Sequence, residues 1–258
     1  MPAIIRPAGG ERNPLTRVSP ILAWLVLALS LAACAQRPAP SPSLEDDPLE
    51  EQNRSSHQLN VALDKQLYGP LSQGYGQVIP EPARNGVTNF VNHTRLPGET
   101  IQYAFQGKPI KVLENTFRFA INTVFGFGGL LDPAKEMDLP YDSTNVDETL
   151  HVWGVPPGAY WELPAGGPGT QRDWVGYGLD IVADPFFYVG GGAVTAVTAL
   201  RGVDLLHDRY KLDPAVQALL HESADSYNAQ RISYLQNMRA RLQGGAQIEE
   251  LEDPYADY

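Results

Sequence analysis

A lone cysteine closes a short apolar run near the start of the chain, and this constrains the rest more than any other feature. Cys34 ends Leu31-Ala32-Ala33-Cys34, behind the 13-residue run from Ile21 to Ala33. Arg6, Arg12 and Arg17 precede that run. A cationic start, a short apolar stretch and small residues before a cut define a secretory signal. The run is too short to span a bilayer, which takes roughly 20 apolar residues. With no second thiol, the chain closes no intramolecular disulfide and builds no cysteine metal site.

Leu-Ala-Ala-Cys resembles the lipobox of bacterial lipoproteins. The resemblance implies cleavage between Ala33 and Cys34, a diacylglycerol on the Cys34 thiol and an acyl group on the new amine. That covalent lipid is the only cofactor expected. Each buried methylene adds roughly 0.8 kcal/mol to anchoring, so several acyl chains hold firmly. Ala35, rather than Asp, follows the cysteine, which in such lipoproteins points to the outer membrane, on its periplasmic side. The alternative is an ordinary signal with a free thiol.

The net charge is −11, and the signal carries more basic than acidic residues, so the remainder is more acidic still. Phosphate backbones need clustered Lys and Arg, so nucleic acid is excluded as a partner. Four stretches follow from composition. Residues 1–33 are the signal; residues 34–46, with Pro38, Pro40 and Pro42, are a flexible tether. Residues 47–243 form a single domain, and residues 244–258 are an acidic, disordered tail.

The domain reads as predominantly α. Leu59, Leu63 and Leu67 repeat at helical spacing, and Gly69-Pro70 stops that helix. Pro82–Val91 and Pro97–Phe105 read as two short helices. The clearest periodicity runs from Pro109 to Val124, where Ile110, Leu113, Phe117, Ile121 and Val124 recur every three or four residues. Lys108, Lys111, Glu114 and Arg118 mark its other faces. The structural glycines Gly126, Gly128 and Gly129 end it, with positive φ expected in at least one. A short helix starts near Asp132-Pro133. Residues 140–170 are rich in Pro, Gly and aromatic residues, with no sustained period. Helical pattern resumes at Arg172, breaks at Asp184-Pro185, and returns over residues 190–207 and Pro214–Leu242.

Little in this chain is local catalytic chemistry. His221-Glu222-Ser223-Ala224-Asp225 lacks the second His that a zinc helix requires, and reads as a solvated helix face. The glycines at 126–129 follow a helix rather than a strand and lack the Lys-Ser/Thr ending of a phosphate loop. No catalytic residue or metal ligand is assigned, and no enzyme is expected. The aromatic segment around Trp153, Tyr160 and Trp161 reads either as a core plug or as a membrane-interface belt.

Several segments, taken in order, resemble the MlaA (VacJ) lipoproteins of Gram-negative outer membranes. They are Asp47-Pro48-Leu49-Glu50 with Asn53-Arg54, Asn60 and Asp64; Arg84 with Asn89-Phe90; and Gln106-Gly107. The most specific stretch is Arg118-Phe119, Asn122-Thr123, Gly126, Gly128-Gly129, Asp132 and Ala134. Thr149-Leu150, Trp153-Gly154, Gly158, Tyr160, Leu163-Pro164, Arg172-Asp173 and finally Tyr227, Arg231 and Tyr234-Leu235 follow. Departures fall at Val146-Asp147-Glu148 and over residues 93–98.

The resemblance implies a single helical, ring-like domain around an amphipathic channel, lying in the inner leaflet of the outer membrane. It implies phospholipid as cargo, a soluble periplasmic carrier that receives it, and a trimeric porin as neighbour. The expected role is removal of misplaced phospholipid from the outer leaflet, which maintains lipid asymmetry. Candidate residues for the channel mouth are Phe127, Asp132, Trp153, Tyr160 and Trp161. The other reading is a lipid-anchored envelope structural protein or hydrolase without transport activity.

Overall fold

The computed structural model describes residues 47–242 apart from Phe186, Phe187, Val189 and Gly190. The signal, Cys34, the tether and the acidic tail lie outside the described residues. In chain order the α-helices are α1 (Glu50–Leu63), α2 (Gly69–Val78), α3 (Glu81–Phe105), α4 (Pro109–Val124) and α5 (Pro133–Glu136). Then come α6 (Val146–Val152), α7 (Gln171–Ala183), α8 (Gly191–Lys211), α9 (Asp213–Val216) and α10 (Ser226–Leu242). Among the described residues β-structure is limited to two isolated bridges, Tyr160 with Thr170 and Leu163 with Gly167. The domain is predominantly α, as its periodicities imply.

Gly69-Pro70 does not stop the first helix. A π-turn, Asp64–Tyr68, carries it straight into α2. The Gly69 amide reaches back to the Asp64 carbonyl, one residue further than in an α-helix. That widened turn falls where Pro70 has no N–H to give, so the proline is absorbed rather than terminating. Pro97 behaves similarly. The two short helices expected over 82–105 are one, α3, with Pro97 inside it. Val91, His93 and Thr94 before the proline and Leu96, Glu99, Gln102 and Tyr103 after it are all buried. Burial of both halves outweighs the hydrogen bond that Pro97 removes, which costs about 3 kcal/mol in an exposed helix.

The last element is corrected the other way. Pro214–Leu242 is not one helix but α9, a π-turn at Gln217–His221, a turn, and α10. Val146–Val152 forms a helix inside the segment expected to be irregular, capped by the Asn145 side chain, which accepts from the Glu148 amide.

The packing closes on itself. α2 lies on α8, where the Tyr210 ring fills the space of a Cβ on Gly76, 2.2 Å away. α8 meets α3 where the Thr88 hydroxyl donates to Asp204 at 2.6 Å. α3 meets α6 where the Thr149 hydroxyl donates to Gln102 at 2.8 Å. Arg172 and Asp147, 2.6 Å apart, join α7 to α6. The Tyr234 hydroxyl donates to Asp173 and joins α10 to α7. Arg54 on Asp225, at 2.9 Å, joins α10 to α1, which runs on into α2. A small apolar cluster, Tyr160, Tyr227, Leu235 and Met238, backs the inner side of α10.

Candidate functional site

The helix with the clearest apolar stripe turns that stripe outward. On α4, Ile110 is 70 % exposed, Leu113 58 %, Phe117 58 % and Val124 70 %. The buried face is Asn115, Arg118 and Asn122, at the complementary spacing of three and four. α1 and the π-turn after it repeat the inversion: Asn53, Ser56, His57 and Asp64 are buried while Leu59 and Leu67 are exposed. α7 buries Arg172 and Gly176 and exposes Val175, Leu179, Ile181 and Val182. A water-soluble surface helix has the opposite arrangement. Contiguous exposed apolar surface of this kind marks a face that meets something other than water.

Polar groups facing inward must find partners, and the motif residues supply them. Arg118 donates to both oxygens of Asp132, at 3.0 and 2.9 Å, and to the Leu139 carbonyl. Asn122 donates to Asp132 at 2.8 Å and accepts the Ala134 amide at 3.1 Å. This ties the loop after α4 to the helix itself. Tyr141 stacks under the Arg118 guanidinium, 5.7 Å from its centre, and donates to Glu99 at 2.6 Å. Glu99 is buried, and burial pushes its carboxyl up to about 7 despite the Tyr141 hydrogen bond and the positive charge of Arg95.

The domain's first residues are fastened likewise. Asp47 accepts from Asn53 and from the Tyr227 hydroxyl. Asn53 also donates to the Tyr160 carbonyl at 3.1 Å and accepts the Glu162 amide at 2.9 Å. Glu162 accepts from Asn60 at 2.8 Å and pairs with His57 at 3.2 Å. On the far side, burial raises the Asp147 carboxyl even beside Arg172. Hydrogen bonds from Tyr234 and Thr170 overcome burial and hold Asp173 low.

The glycine break after α4 has a steric cause. Phe127, Gly128 and Gly129 have φ of +53°, +71° and +95°. A Cβ on Gly129 would lie 2.4 Å from the His93 side chain, which stacks on Phe119 at 4.7 Å. At Gly126 a Cβ would strike the Asn122 and Leu131 carbonyls at 2.5 Å.

The five candidate residues for a channel mouth do not gather in one place. Phe127, 77 % exposed, and Asp132 belong to the break after α4, where Asn89 donates to the Leu130 carbonyl. Trp153, 60 % exposed, donates to the Phe105 carbonyl at the opposite end of α3. Residues 89 and 105 of one helix are about 24 Å apart. Tyr160 is 1 % exposed and enclosed in the cluster on α10, and Trp161 accepts the Trp174 indole N–H at its carbonyl. The aromatic segment therefore divides: Tyr160 is a core plug and Trp153 an exposed ring.

His221 is not a freely solvated residue on a helix face. It meets Asp64 at 2.9 Å, beside Arg209, which holds the other Asp64 oxygen at 2.7 Å. Asp64 opens the first π-turn and His221 closes the second, so both turns meet in one charge cluster, which the sequence did not reveal. By periodicity Arg118 marks only a face away from the apolar stripe. The available signal was its company: Asn115, Arg118 and Asn122 are compact or planar donors at one spacing, whereas solvent-facing stripes are rich in Lys and Glu.

The MlaA lipoprotein family model matches residues 45–241. An intermembrane phospholipid transport system lipoprotein MlaA of Haemophilus influenzae is 31 % identical over 239 residues, 90 % of this chain and 94 % of that protein. The protein so named in Escherichia coli K12 is 30 % identical, covering 81 % of this chain and 83 % of its own length. A solved structure, described as the structural basis for maintenance of bacterial outer membrane lipid asymmetry, superposes with a TM-score of 0.64. It is 28 % identical and covers 75 % of this chain and 97 % of its own.

Proposed function

The chain belongs to the MlaA lipoprotein family, and from that premise we propose that it carries misplaced phospholipid out of the outer leaflet of the outer membrane, maintaining lipid asymmetry. The observation that carries this reading is the inverted polarity of α4, with Ile110, Leu113, Phe117 and Val124 outward and Asn115, Arg118 and Asn122 inward. Among the described residues no helix is long and apolar enough to cross a membrane. An amphipathic helix of this kind lies within one leaflet, its apolar side against acyl chains. The circuit of packed helices makes a ring in our reading. Its polar interior passes a headgroup while the tails stay with apolar surface. Phe127 and Trp153 then sit where rings meet the membrane boundary, at opposite ends of α3. The step makes and breaks no covalent bond.

The finer parts of the reading follow from the family. A soluble periplasmic carrier receives the lipid, a trimeric porin stands beside the ring, and Cys34 bears the anchor on the periplasmic side. Cys34→Ser removes the nucleophile that accepts the diacylglycerol. The variant is expected to keep its signal uncut and to leave the outer-membrane fraction. Normal processing and outer-membrane retention of the Ser variant would rule the lipid anchor out.

The function itself is tested on the apolar face. Leu113→Glu with Phe117→Glu places two charges where acyl chains are proposed, each costing roughly 2–3 kcal/mol at membrane depth. Both side chains are exposed, so the fold in detergent should melt as before. Expressed in cells lacking the native copy, the double variant should leave phospholipid in the outer leaflet, as an empty vector does. Full restoration of asymmetry would defeat the proposal.

A further inference from the structure

Between α2, α3 and α8 lies a second polar group, in which His207 and Asp204 are buried and Tyr75 and Arg84 are half-buried, and three buried atoms have no hydrogen-bond partner: Tyr75 Oη, Arg84 Nε and His207 Nδ1. His207 is buried, and its ring meets that of Tyr75 edge-on at 6.3 Å. Arg84 reaches in from the start of α3, its guanidinium 4.9 Å over the Tyr210 ring. Its charge acts on both Tyr75 and His207. One turn before His207, Asp204 is buried and accepts the Thr88 hydroxyl at 2.6 Å. Lys211 and Asp208, further along α8, pair with each other at 3.3 Å.

The contrast with the other interior charges is informative. Arg118 has Asp132, Arg172 has Asp147, and Arg209 has Asp64. Among the described residues, Arg84 pairs with no carboxylate and Asp204 with no cation, although one cluster contains both. A buried donor without an acceptor costs stability, so such groups are normally satisfied. Three orphaned nitrogen and hydroxyl groups beside an unneutralised guanidinium suit an oxyanion with several acceptors. A buried carboxylate nearby suits a cation attached to that anion.

We propose that this cluster is a headgroup site for a zwitterionic phospholipid, with the phosphodiester on Arg84, Tyr75 and His207 and the ammonium at Asp204. The proposal rests on the phospholipid-transport reading above and gives it a headgroup preference. His207 takes part as the tautomer with hydrogen on Nδ1. The phosphate supplies the acceptors that the three orphaned atoms lack, and the ammonium neutralises Asp204. An uncharged glycerol headgroup leaves Asp204 unanswered.

The test uses the full-length, lipidated protein in detergent, titrated with short-chain phosphatidylethanolamine, short-chain phosphatidylglycerol and inorganic phosphate. Tyr75→Phe deletes one oxygen that has no partner within the protein. It should leave the melting temperature unchanged or raised, and weaken phosphatidylethanolamine binding about tenfold. His207→Gln should weaken it comparably. Asp204→Asn keeps an acceptor for Thr88 and should abolish the preference for phosphatidylethanolamine over phosphatidylglycerol. If Tyr75→Phe and His207→Gln bind phosphatidylethanolamine like the parent, the cluster holds no headgroup and only this inference fails. A lower melting temperature for Tyr75→Phe with unchanged binding identifies a structural water and overturns it equally. Inorganic phosphate binding as tightly as the lipid reassigns the site to a free anion. If the parent protein binds neither lipid, the transport reading fails with it.

Discussion

Arg118→Ala is expected to destabilise the domain by about 3–5 kcal/mol, the cost of leaving one partner of a buried ion pair uncompensated. Arg118 is 2 % exposed and donates to Asp132 and to the Leu139 carbonyl, so its loss strands both acceptors. Asp132 also accepts from Asn122, whose side chain holds the Ala134 amide, so the whole loop after α4 loosens. Tyr141 loses the guanidinium above its ring. Asp132→Ala should cost a similar amount. The double variant should cost much less than the sum, because neither charge is then left alone. Denaturant unfolding of the detergent-solubilised protein measures all three. Additive costs would show that the pair does not act as a unit. Arg118→Lys should restore little, since a single ammonium cannot span the carboxylate and the carbonyl as a planar fork does.

Glu99 should make stability depend on pH in the direction opposite to an ordinary paired carboxylate. Burial raises its pKa from 4.5 to about 7, with the Tyr141 hydrogen bond and Arg95 opposing. A carboxyl raised in the folded state favours folding while protonated. Its contribution is therefore full below 4.5 and is lost as pH rises through about 7. The loss across that window is on the order of 3 kcal/mol. Glu99→Gln keeps an acceptor for the Tyr141 hydroxyl and cannot ionise. Relative to the parent, the variant should be nearly neutral at pH 4.5 and distinctly more stable at pH 8. Unfolding midpoints of the pair at several pH values decide this. A difference that does not grow between those limits would show that Glu99 is not held protonated.

Much of this architecture was legible in the chain. The period of α4 from Ile110 to Val124 and the glycine break after it follow from spacing and residue type, and the family resemblance marked the ordered motif residues. The motif residues proved to be the polar interior: Asp47, Asn53, Arg118, Asn122, Asp132, Arg172, Asp173 and Arg231 are all in its hydrogen bonds or ion pairs. Proline and glycine were less reliable guides. Pro70 reads as a stop and Pro97 as the start of a new helix, because a proline lacks the donor that a helix interior needs. Yet a π-turn and burial on both sides of residue 97 carry the helices through. Pro214–Leu242 read as continuous, but a π-turn and a bend place His221 on Asp64, 157 residues away in the chain.

The sequence by itself determined that the chain is mainly helical and that α4 has two chemically distinct faces. Only the tertiary structure decided which face is inside. Periodicity records that Leu113 and Phe117 share one side of α4 and Arg118 and Asn122 another, and that fact is unchanged when inside and outside are exchanged. The choice depends on whether the polar side finds partners, and those partners, Asp132, Leu139 and Ala134, lie beyond the helix, where only folding brings them within hydrogen-bond reach.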